Sequence, residues 1–396
     1  MAPGRRPSIC HIVPGLDLVP GSASTRQTLG LARALAAHAE VTVAFRRVTG
    51  PVAHEPFDIV ALEPHGGPEL SSDLAPSRRA LGRFIEQRCG AYGAVLEGTW
   101  PMLGKLTAWC AQRGIPAVPI VERQPPARWL APIGMGRSWL GLGASGRYLR
   151  RAPVMIAASD DLKATIIRRW RVEPERITVT GSGVDRARFA PRDQADARRR
   201  LGLLPEHRIL LAGGVLDHAR DLAPVIEAVQ RVGDPDLRLH VLGQGERRAA
   251  LERLAGLGSA VTFHGRVGDD LLPVFIAAAD LCVAIEHPDG AVTDPASEAA
   301  ITVAECLVSG RPVAVASDGD REHPLVRHLV SGFLIEHDLL AWIRFLQRDC
   351  PSRNTLRIMG QAATATPIDG VERAASVYLE AIDRAHRAVK AGPPDR

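Results

Sequence analysis

The chain has 396 residues and a formal net charge of +5, with 46% apolar and 23% charged residues. At roughly 100–200 residues per domain this predicts two domains, at most three, of ordinary globular composition, and it excludes a wholly disordered or fibrous chain. The six cysteines, Cys10, Cys89, Cys110, Cys282, Cys306 and Cys350, are scattered, with no C-x-x-C pair and no histidine cluster at zinc spacing. That excludes a disulfide scaffold and predicts reduced, mostly buried thiols.

In chain order, apolar runs at 8–13 and 40–45 read as strands, and 25–38 between them carries Leu29, Ala32, Leu35 and Ala36 on one helical face. Further strands are expected at 57–61, 93–97, 116–121, 153–157 and 176–180, with helices at 76–89, 101–113 and 160–170. The pattern restarts after Pro191. A polar helical stretch at 192–201 leads to strands at 207–212, 237–242, 260–263, 281–285 and 312–316, again separated by helices. Residues 369–391 read as one long helix whose plain role is a solvated closing helix. Strands apolar throughout and separated by helices predict parallel sheets covered on both faces. The expected fold class is therefore α/β, two Rossmann-like doubly wound domains in series. Ligands in such sheets sit beyond the carboxyl ends of the strands, where strand order reverses. Two such units facing each other would leave an interdomain cleft for a two-substrate reaction.

No apolar run reaches the roughly 18 residues of a membrane span. The N-terminal apolar stretch is too short for a secretory signal. The expectation is a cytoplasmic protein. Aromatics are 4% of the chain, and no basic stretch is interleaved with stacking rings, which argues against nucleic acid as a partner. The positive charge then reflects plain arginine usage, an anionic ligand or an anionic membrane surface. Residues 137–151 set Trp139, Leu140, Leu142, Tyr148 and Leu149 among arginines. That composition suits peripheral contact at the inner face of a membrane. Its plain reading is a helix and loop packing over the domain, and Gly141, Gly143 and Gly146 argue against a long helix there.

Three strands of the second half end in glycine turns: Gly213-Gly214, Gly243-Gln244-Gly245-Glu246, and Gly265-Arg266. Singly each is a tight turn. Three on one predicted sheet edge point to a nucleotide-type site, because glycine lets backbone approach a ligand and helix N-termini offer N–H groups to an anion. Neither half has a G-x-G-x-x-G after its first strand, and no G-x-x-x-x-G-K-[ST] occurs. Dinucleotide oxidoreductases and P-loop ATPases are thereby disfavoured.

Several blocks in the right order now resemble one family. They are Ala158-Ser159, Pro174–Val179, Gly181-Ser182-Gly183-Val184-Asp185 followed by Arg188-Phe189-Ala190-Pro191, Gly243–Glu246, Val261–Val267, Ala279-Asp280-Leu281 and Ala304–Val313. The chain resembles the retaining GT-B-fold glycosyltransferases of the large family 4, or group 1, type. The resemblance implies residues 1–190 as an acceptor-side domain, 191–366 as a nucleotide-sugar-binding domain, and 367–396 as a closing helix and tail. It implies transfer of a sugar from a nucleoside diphosphate donor to a glycan, lipid-linked sugar or small molecule, without a metal or other cofactor.

Residue by residue, the resemblance implies a diphosphate grip by a cation pair after the first strand of the second domain. Gly214 stands where the family has Arg, and Arg220 resembles the family's Lys with one extra residue in the loop. Arg266 is the second candidate cation. Glu305 matches the glutamate that touches the nucleoside ribose. The family's sugar-contacting glutamate lies eight positions upstream, at Ser297 here, so Glu298 takes that place with a one-residue shift. Glu298 and Glu305 would share a face of a continuous helix. Glu122, followed by Arg123, stands where the family carries an acceptor-side His. Ser317-Asp318-Gly319-Asp320 replaces a Gly-Gly loop. The candidate catalytic residues are thus Arg220, Glu298 and Glu122. The donor-binding residues are Gly213, Gly214, Gly243, Gly245, Glu246, Arg266 and Glu305. Two alternatives remain: a GT-B sugar-nucleotide epimerase, and a degenerate, non-catalytic subunit that binds a partner enzyme.

Overall fold

A computed structural model describes residues 6–50, 52, 54–63, 78–100, 102–122, 146–181, 183–218, 221–258, 260–285, 298–317 and 323–391. The chain forms two compact units: Met1–Pro20 with Gln27–Gly183 and Asp369–Arg396, and Val184–Ile368 with the six residues Gly21–Arg26.

The first unit holds a seven-stranded parallel sheet of β1 (Ser8–Val13), β2 (Glu40–Phe45), β3 (Asp58–Ala61), β4 (Ala94–Glu97), β5 (Ala117–Val121), β6 (Met155–Ala157) and β7 (Ile177–Val179), in the order β3-β2-β1-β4-β5-β6-β7. Order reverses beside β1, which pairs with β2 on one side and β4 on the other. β1, β4, β5 and β6 are apolar on both faces because helices cover both. Helices α1 (Ala23–Ala36), α2 (Arg78–Arg88), α3 (Lys105–Ala111) and α4 (Asp160–Trp170) supply part of that cover. Ser159 starts α4 by accepting from the Leu162 N–H, as a helix N-cap does. The C-terminal helix Val371–Ala391 is no solvated strut. Its residues Ala374, Ala375, Tyr378, Ala381, Ile382 and Ala385 form a helical stripe in one core with Ile9, Val13 and Val43.

Two buried polar groups of this unit were invisible as such in the sequence. Glu97, at the end of β4, is wholly buried. Its Oε1 accepts from Trp100 Nε1 (2.8 Å) and from the N–H groups of Gly104 (2.9 Å) and Leu106 (3.3 Å). Its Oε2 accepts from the N–H (2.8 Å) and hydroxyl (2.7 Å) of Thr107. Burial pushes the carboxyl up, and the bonds from Thr107, Trp100 and Leu106 pull against that rise. The result is a carboxylate that fastens the start of α3 to the sheet.

His11, in the middle of β1, is fully buried, and neither ring nitrogen has a hydrogen-bond partner among the described residues. Burial lowers it from 6.5 to about 4. The unfolded chain then binds a proton that the folded chain refuses between those two values. The His11 contribution is therefore complete above about pH 6.5 and is lost as pH falls towards 4. The loss is about 3 kcal/mol at roughly 1.4 kcal/mol per pK unit. His11→Leu is expected to flatten this acid-side slope and to raise stability at pH 7 by about 1–2 kcal/mol, since two unmet nitrogens disappear. Urea unfolding between pH 4 and 7.5 measures both effects; a variant with the wild-type slope would contradict the assignment.

The second unit holds a six-stranded parallel sheet of β8 (Arg208–Gly213), β9 (Leu237–Leu242), β10 (Val261–Gly265), β11 (Leu281–Ile285), β12 (Val313–Ser317) and β13 (Gly332–Glu336), in the order β10-β9-β8-β11-β12-β13. Its helices are α5 (Gln194–Leu201), α6 (Ala223–Val232), α7 (Arg248–Ala255), α8 (Leu272–Ala278), α9 (Glu298–Val308), α10 (Leu339–Arg344) and α11 (Arg353–Thr364). The C-terminal helix Val371–Ala391 is α12. Strand β13 lay outside the sequence expectation. Gly332 is what admits it, since a Cβ there would stand 2.1 Å from the Val313 carbonyl oxygen. Entry to the sheet is pinned by a buried pair. Arg198 donates to Asp280 Oδ2 (2.8 Å) and to the carbonyls of Ala278, Pro205 and His207, and Asp280 also accepts from the Ile209 N–H (2.7 Å). Five of the six cysteines are buried, and all six are free. No described helix is long and apolar enough to cross a membrane.

Candidate functional site

Strands β8, β9 and β10 are neighbours and parallel, so their glycine turns fall along one carboxyl edge. The turns are laced together. The Gly214 N–H donates to the Leu242 carbonyl (3.2 Å), the Leu216 N–H to Gln244 (2.9 Å) and the Gly243 N–H to Gly265 (2.7 Å). Two glycines make this spacing achievable. Gly243 has φ +116°, and a Cβ on it would lie 1.9 Å from the Gly214 carbonyl oxygen. A Cβ on Gly245 would lie 2.1 Å from the Leu216 carbonyl oxygen. Gly243→Ala is therefore expected to cost on the order of 3 kcal/mol, through strained backbone and a displaced neighbouring turn. Denaturant unfolding reads the loss; an alanine variant as stable as wild type would show that the turns are not packed this way.

The laced turns border an open cavity of about 680 Å³. Gly213, Gly214, Gly243, Arg266, Asp269, Thr302 and Arg26 line it, over an apolar floor that includes Leu211, Ile276 and Val313. It lies beside β8 and β11, where strand order reverses, which is the place ligands take in doubly wound sheets. A smaller cavity of about 390 Å³ shares Gly213, Gly214 and Thr302 and adds Leu216, Ile285 and Ala299.

Helix α9 is continuous from Glu298 to Val308, so Glu298 and Glu305 are nearly two turns apart on one helix. The Glu298 side chain lies outside what the structure describes, and so do Arg220, Arg123, Ser182, Ser297, Asp318-Gly319-Asp320, Trp139, Leu140 and Leu142. Glu305 is buried and bidentate with Arg26. Arg26 Nε donates to Oε1 (3.0 Å), Nη2 donates to Oε2 (2.6 Å), and Nη1 donates to the Gly21 carbonyl (2.8 Å). Sequence reasoning singled out Glu305 and missed Arg26. The pair is 279 positions apart, and no local spacing advertises it. Glu246 is not among the residues that line the cavity. Its carboxylate is 67% exposed and lies 3.9 Å from His218. Arg266 lies on the cavity wall.

Cys282 and Cys306 also line the cavity. A hydrogen bond to Cys282 and burial push the Cys306 thiol well up, which leaves it un-ionised and unreactive. Beside the Gly265 turn, His240 and His264 stack with ring centroids 5.0 Å apart and their Nδ1 and Nε2 2.7 Å apart. Burial first, then His264, lowers His240 to about 4, so the pair is neutral at pH 7 and serves to tie β9 to β10. No group of three potential metal ligands gathers among the described residues.

In the first unit, Glu122 follows β5 and is half-buried. Its N–H donates to Thr99 Oγ1 (2.8 Å), and that hydroxyl donates to the Ile120 carbonyl (3.0 Å). The residue is thus anchored at the carboxyl edge next to the turn after β4. Of the 137–151 stretch, Leu149 is fully buried and Arg150 Nη1 donates to the Trp170 carbonyl (3.1 Å), as the packing alternative expects of these two residues.

Glycine turns laced along a parallel carboxyl edge, over a cavity at the point of strand reversal, define a doubly wound α/β protein with a ligand crevice in its second unit. Two family models match the chain, "Glycosyltransferase Family 4" over residues 24–188 and "Glycosyl transferases group 1" over 206–348. The chain belongs to these group 1, family 4 glycosyltransferases. It is 31% identical over 247 residues to the D-inositol 3-phosphate glycosyltransferase of Thermobispora bispora, an alignment covering 57% of this chain and 56% of that relative. The chain thus spans about half the length of the first curated relatives it matches. Among solved structures, it resembles sucrose-phosphate synthase from Thermosynechococcus elongatus, with TM-score 0.71, 20% identity, and coverage of 98% of this chain and 100% of that one. It also resembles Anabaena HepE in complex with UDP and glucose, with TM-score 0.67, 18% identity, and coverage of 96% and 100%. At such identities these two likenesses establish the fold.

Proposed function

We propose that the protein transfers a sugar from a nucleoside diphosphate donor to a hydroxyl acceptor, with retention of anomeric configuration. The observation that carries this reading is the cavity under the laced glycine turns. It lies at the carboxyl edge where strand order reverses, bordered by the glycine turns and by Arg266. The relative named for D-inositol 3-phosphate and the neighbour holding UDP and glucose point to the same kind of substrates, a nucleotide sugar and a phosphorylated or free polyol. In this reading Glu305 meets the ribose, Glu298 the donor sugar, and Arg220 and Arg266 the diphosphate. Glu122 orients the acceptor hydroxyl.

The chemistry asked of these residues is positioning and charge stabilisation. As the glycosidic bond breaks, positive character grows on the sugar and negative charge on the departing diphosphate. The donor's own phosphate oxygen takes the acceptor proton on the face from which it leaves. The protein holds both substrates and offsets the growing charge with pre-aimed N–H groups and guanidinium ions.

Release of nucleoside diphosphate from a panel of UDP-, GDP- and ADP-sugars tests the reading, alongside thermal melting. A bound nucleotide at a hundred times its Kd adds about 2.7 kcal/mol. For a chain of 396 residues melting in one transition, that raises Tm by roughly 3 °C. Binding without any turnover across acceptors would favour the non-catalytic subunit. Conversion of the sugar moiety without transfer would favour the epimerase.

A further inference from the structure

The loop 214–222 leads from β8 into α6, and its described residues wall the crevice. Gly214 lines the larger cavity, and Gly214, Val215, Leu216 and Leu222 line the smaller. The first half of the loop is held by backbone. The Gly214 and Leu216 N–H groups donate to the Leu242 and Gln244 carbonyls, and the Leu216 carbonyl accepts from the Arg247 N–H (3.0 Å). The second half is reached by the side chain of the same Arg247, which stands at the entry to α7. Its Nη1 donates to His218 Nδ1 (3.1 Å) and its Nη2 to Asp221 Oδ1 (3.0 Å). Arginine offers donors only, so the His218 ring accepts at Nδ1 and keeps its proton on Nε2. One rigid planar fork thus bridges two points of the loop. Asp221 passes the hold on, since the same Oδ1 accepts from the Ala223 N–H at the start of α6 (3.1 Å).

We propose that Arg247 is a positioning residue for the donor diphosphate: it holds the loop after β8 at His218 and Asp221, so that turnover depends on Arg247 without its touching the donor. This rests on the donor-site reading above, in which Arg220, carried between those two residues, meets the diphosphate. Arg247 acts through Arg220, and it is not among the residues that line either cavity. A charge that must meet a leaving group as the bond breaks works over a short range of positions. A misplacement of about 1 Å costs on the order of a hundredfold in rate. The side chains of Arg247 and Asp221 are 25% and 36% exposed, and a pair so placed adds little to stability. Position and stability are therefore separable at this residue.

The test compares wild type, Arg247→Ala, Arg247→Lys, Arg220→Ala and the double variant Arg220→Ala/Arg247→Ala, by steady-state kinetics on the best donor of the panel and by thermal melting. Arg247→Ala is expected to melt within about 2 °C of wild type. Its turnover should fall about tenfold to a hundredfold, with donor KM changed by about threefold or less. Arg247→Lys keeps a charge for Asp221 without the fork that also reaches His218. It should fall between, and it remains informative if the alanine variant does not fold. The double variant should lose about threefold at most beyond Arg220→Ala, because a group already absent cannot be misplaced. Calorimetry repeats the comparison without turnover and decides it for a protein that binds but does not transfer. A free nucleoside diphosphate carries the charge that the intact donor gains only on cleavage. Its affinity relative to the monophosphate should therefore fall about fivefold or more in Arg247→Ala. A folded Arg247→Ala or Arg247→Lys protein with the full wild-type turnover and diphosphate preference would overturn the positioning role. Losses that simply multiply in the double variant would overturn it as well. Wild-type protein that binds no nucleoside diphosphate would overturn the donor-site reading itself.

Discussion

Glu305→Ala is expected to lose both nucleotide affinity and a large part of the stability of the second unit. Glu305 and Arg26 are buried partners at 2.6 and 3.0 Å. Truncating one leaves the other as an uncompensated charge in a largely dry place, and such changes cost about 3–5 kcal/mol. A site residue is therefore also a structural one, and loss of binding in this variant alone would not separate the two roles. Glu305→Gln keeps the shape and one acceptor oxygen, so it is expected to melt closer to wild type than Glu305→Ala while still binding nucleotide more weakly. Calorimetric affinity and urea unfolding on both variants check the pattern. A Glu305→Ala protein of wild-type stability would contradict the buried pair, and an unchanged affinity in a folded Glu305→Gln protein would contradict the ribose contact.

Arg220→Ala is expected to reduce turnover about a hundredfold to a thousandfold, the usual effect of removing one charge-stabilising group from such a site. Gly214 offers no cation where the family carries Arg, so the burden falls on Arg220 and Arg266. Arg220 itself lies outside the described residues, but the residue after it is well placed. Asp221 Oδ1 accepts from Arg247 Nη2 (3.0 Å) and from the Ala223 N–H (3.1 Å), and its carbonyl oxygen lies 2.8 Å from His337 Nε2. These contacts fix the entry to α6 immediately after Arg220. The turnover loss should exceed any rise in donor KM, because the charge to be offset grows only as the bond breaks. Arg220→Lys should keep a substantial part of the activity. Steady-state kinetics on the best donor of the panel decides it, and near-normal turnover in Arg220→Ala would defeat the assignment.

Much of the architecture was legible because the physics is local. Apolar runs such as ICHIV and LCVAI have no exposed face to serve, so they announce buried parallel strands. The glycine turns were legible too, although only the structure shows why Gly243 and Gly245 must lack a side chain. The contribution of Val371–Ala391 to the first core was less so. Its stripe is written largely in alanine, which periodicity reads weakly, and its partner strands come from the opposite end of the chain. Arg26 and Arg198 stayed hidden because a buried charge is recognised by its partner, and partners 279 or 82 positions away leave no trace in a local pattern. Glu122 was reachable only through resemblance, and Glu298 acquires from the structure its place at the head of α9.

The Glu97 anchor has a kinetic consequence. One carboxylate collects the amide hydrogens of Gly104, Leu106 and Thr107, and it sits at the end of a strand in the middle of the first sheet. Those three amides belong to a buried turn and the start of a seven-residue helix, and a helix end ordinarily trades its hydrogens with solvent through local fraying. Here none can be released without freeing a buried carboxylate. They should therefore exchange with deuterium on the slow timescale of β4 itself, and the turn after that strand should behave as part of the sheet's cooperative unit.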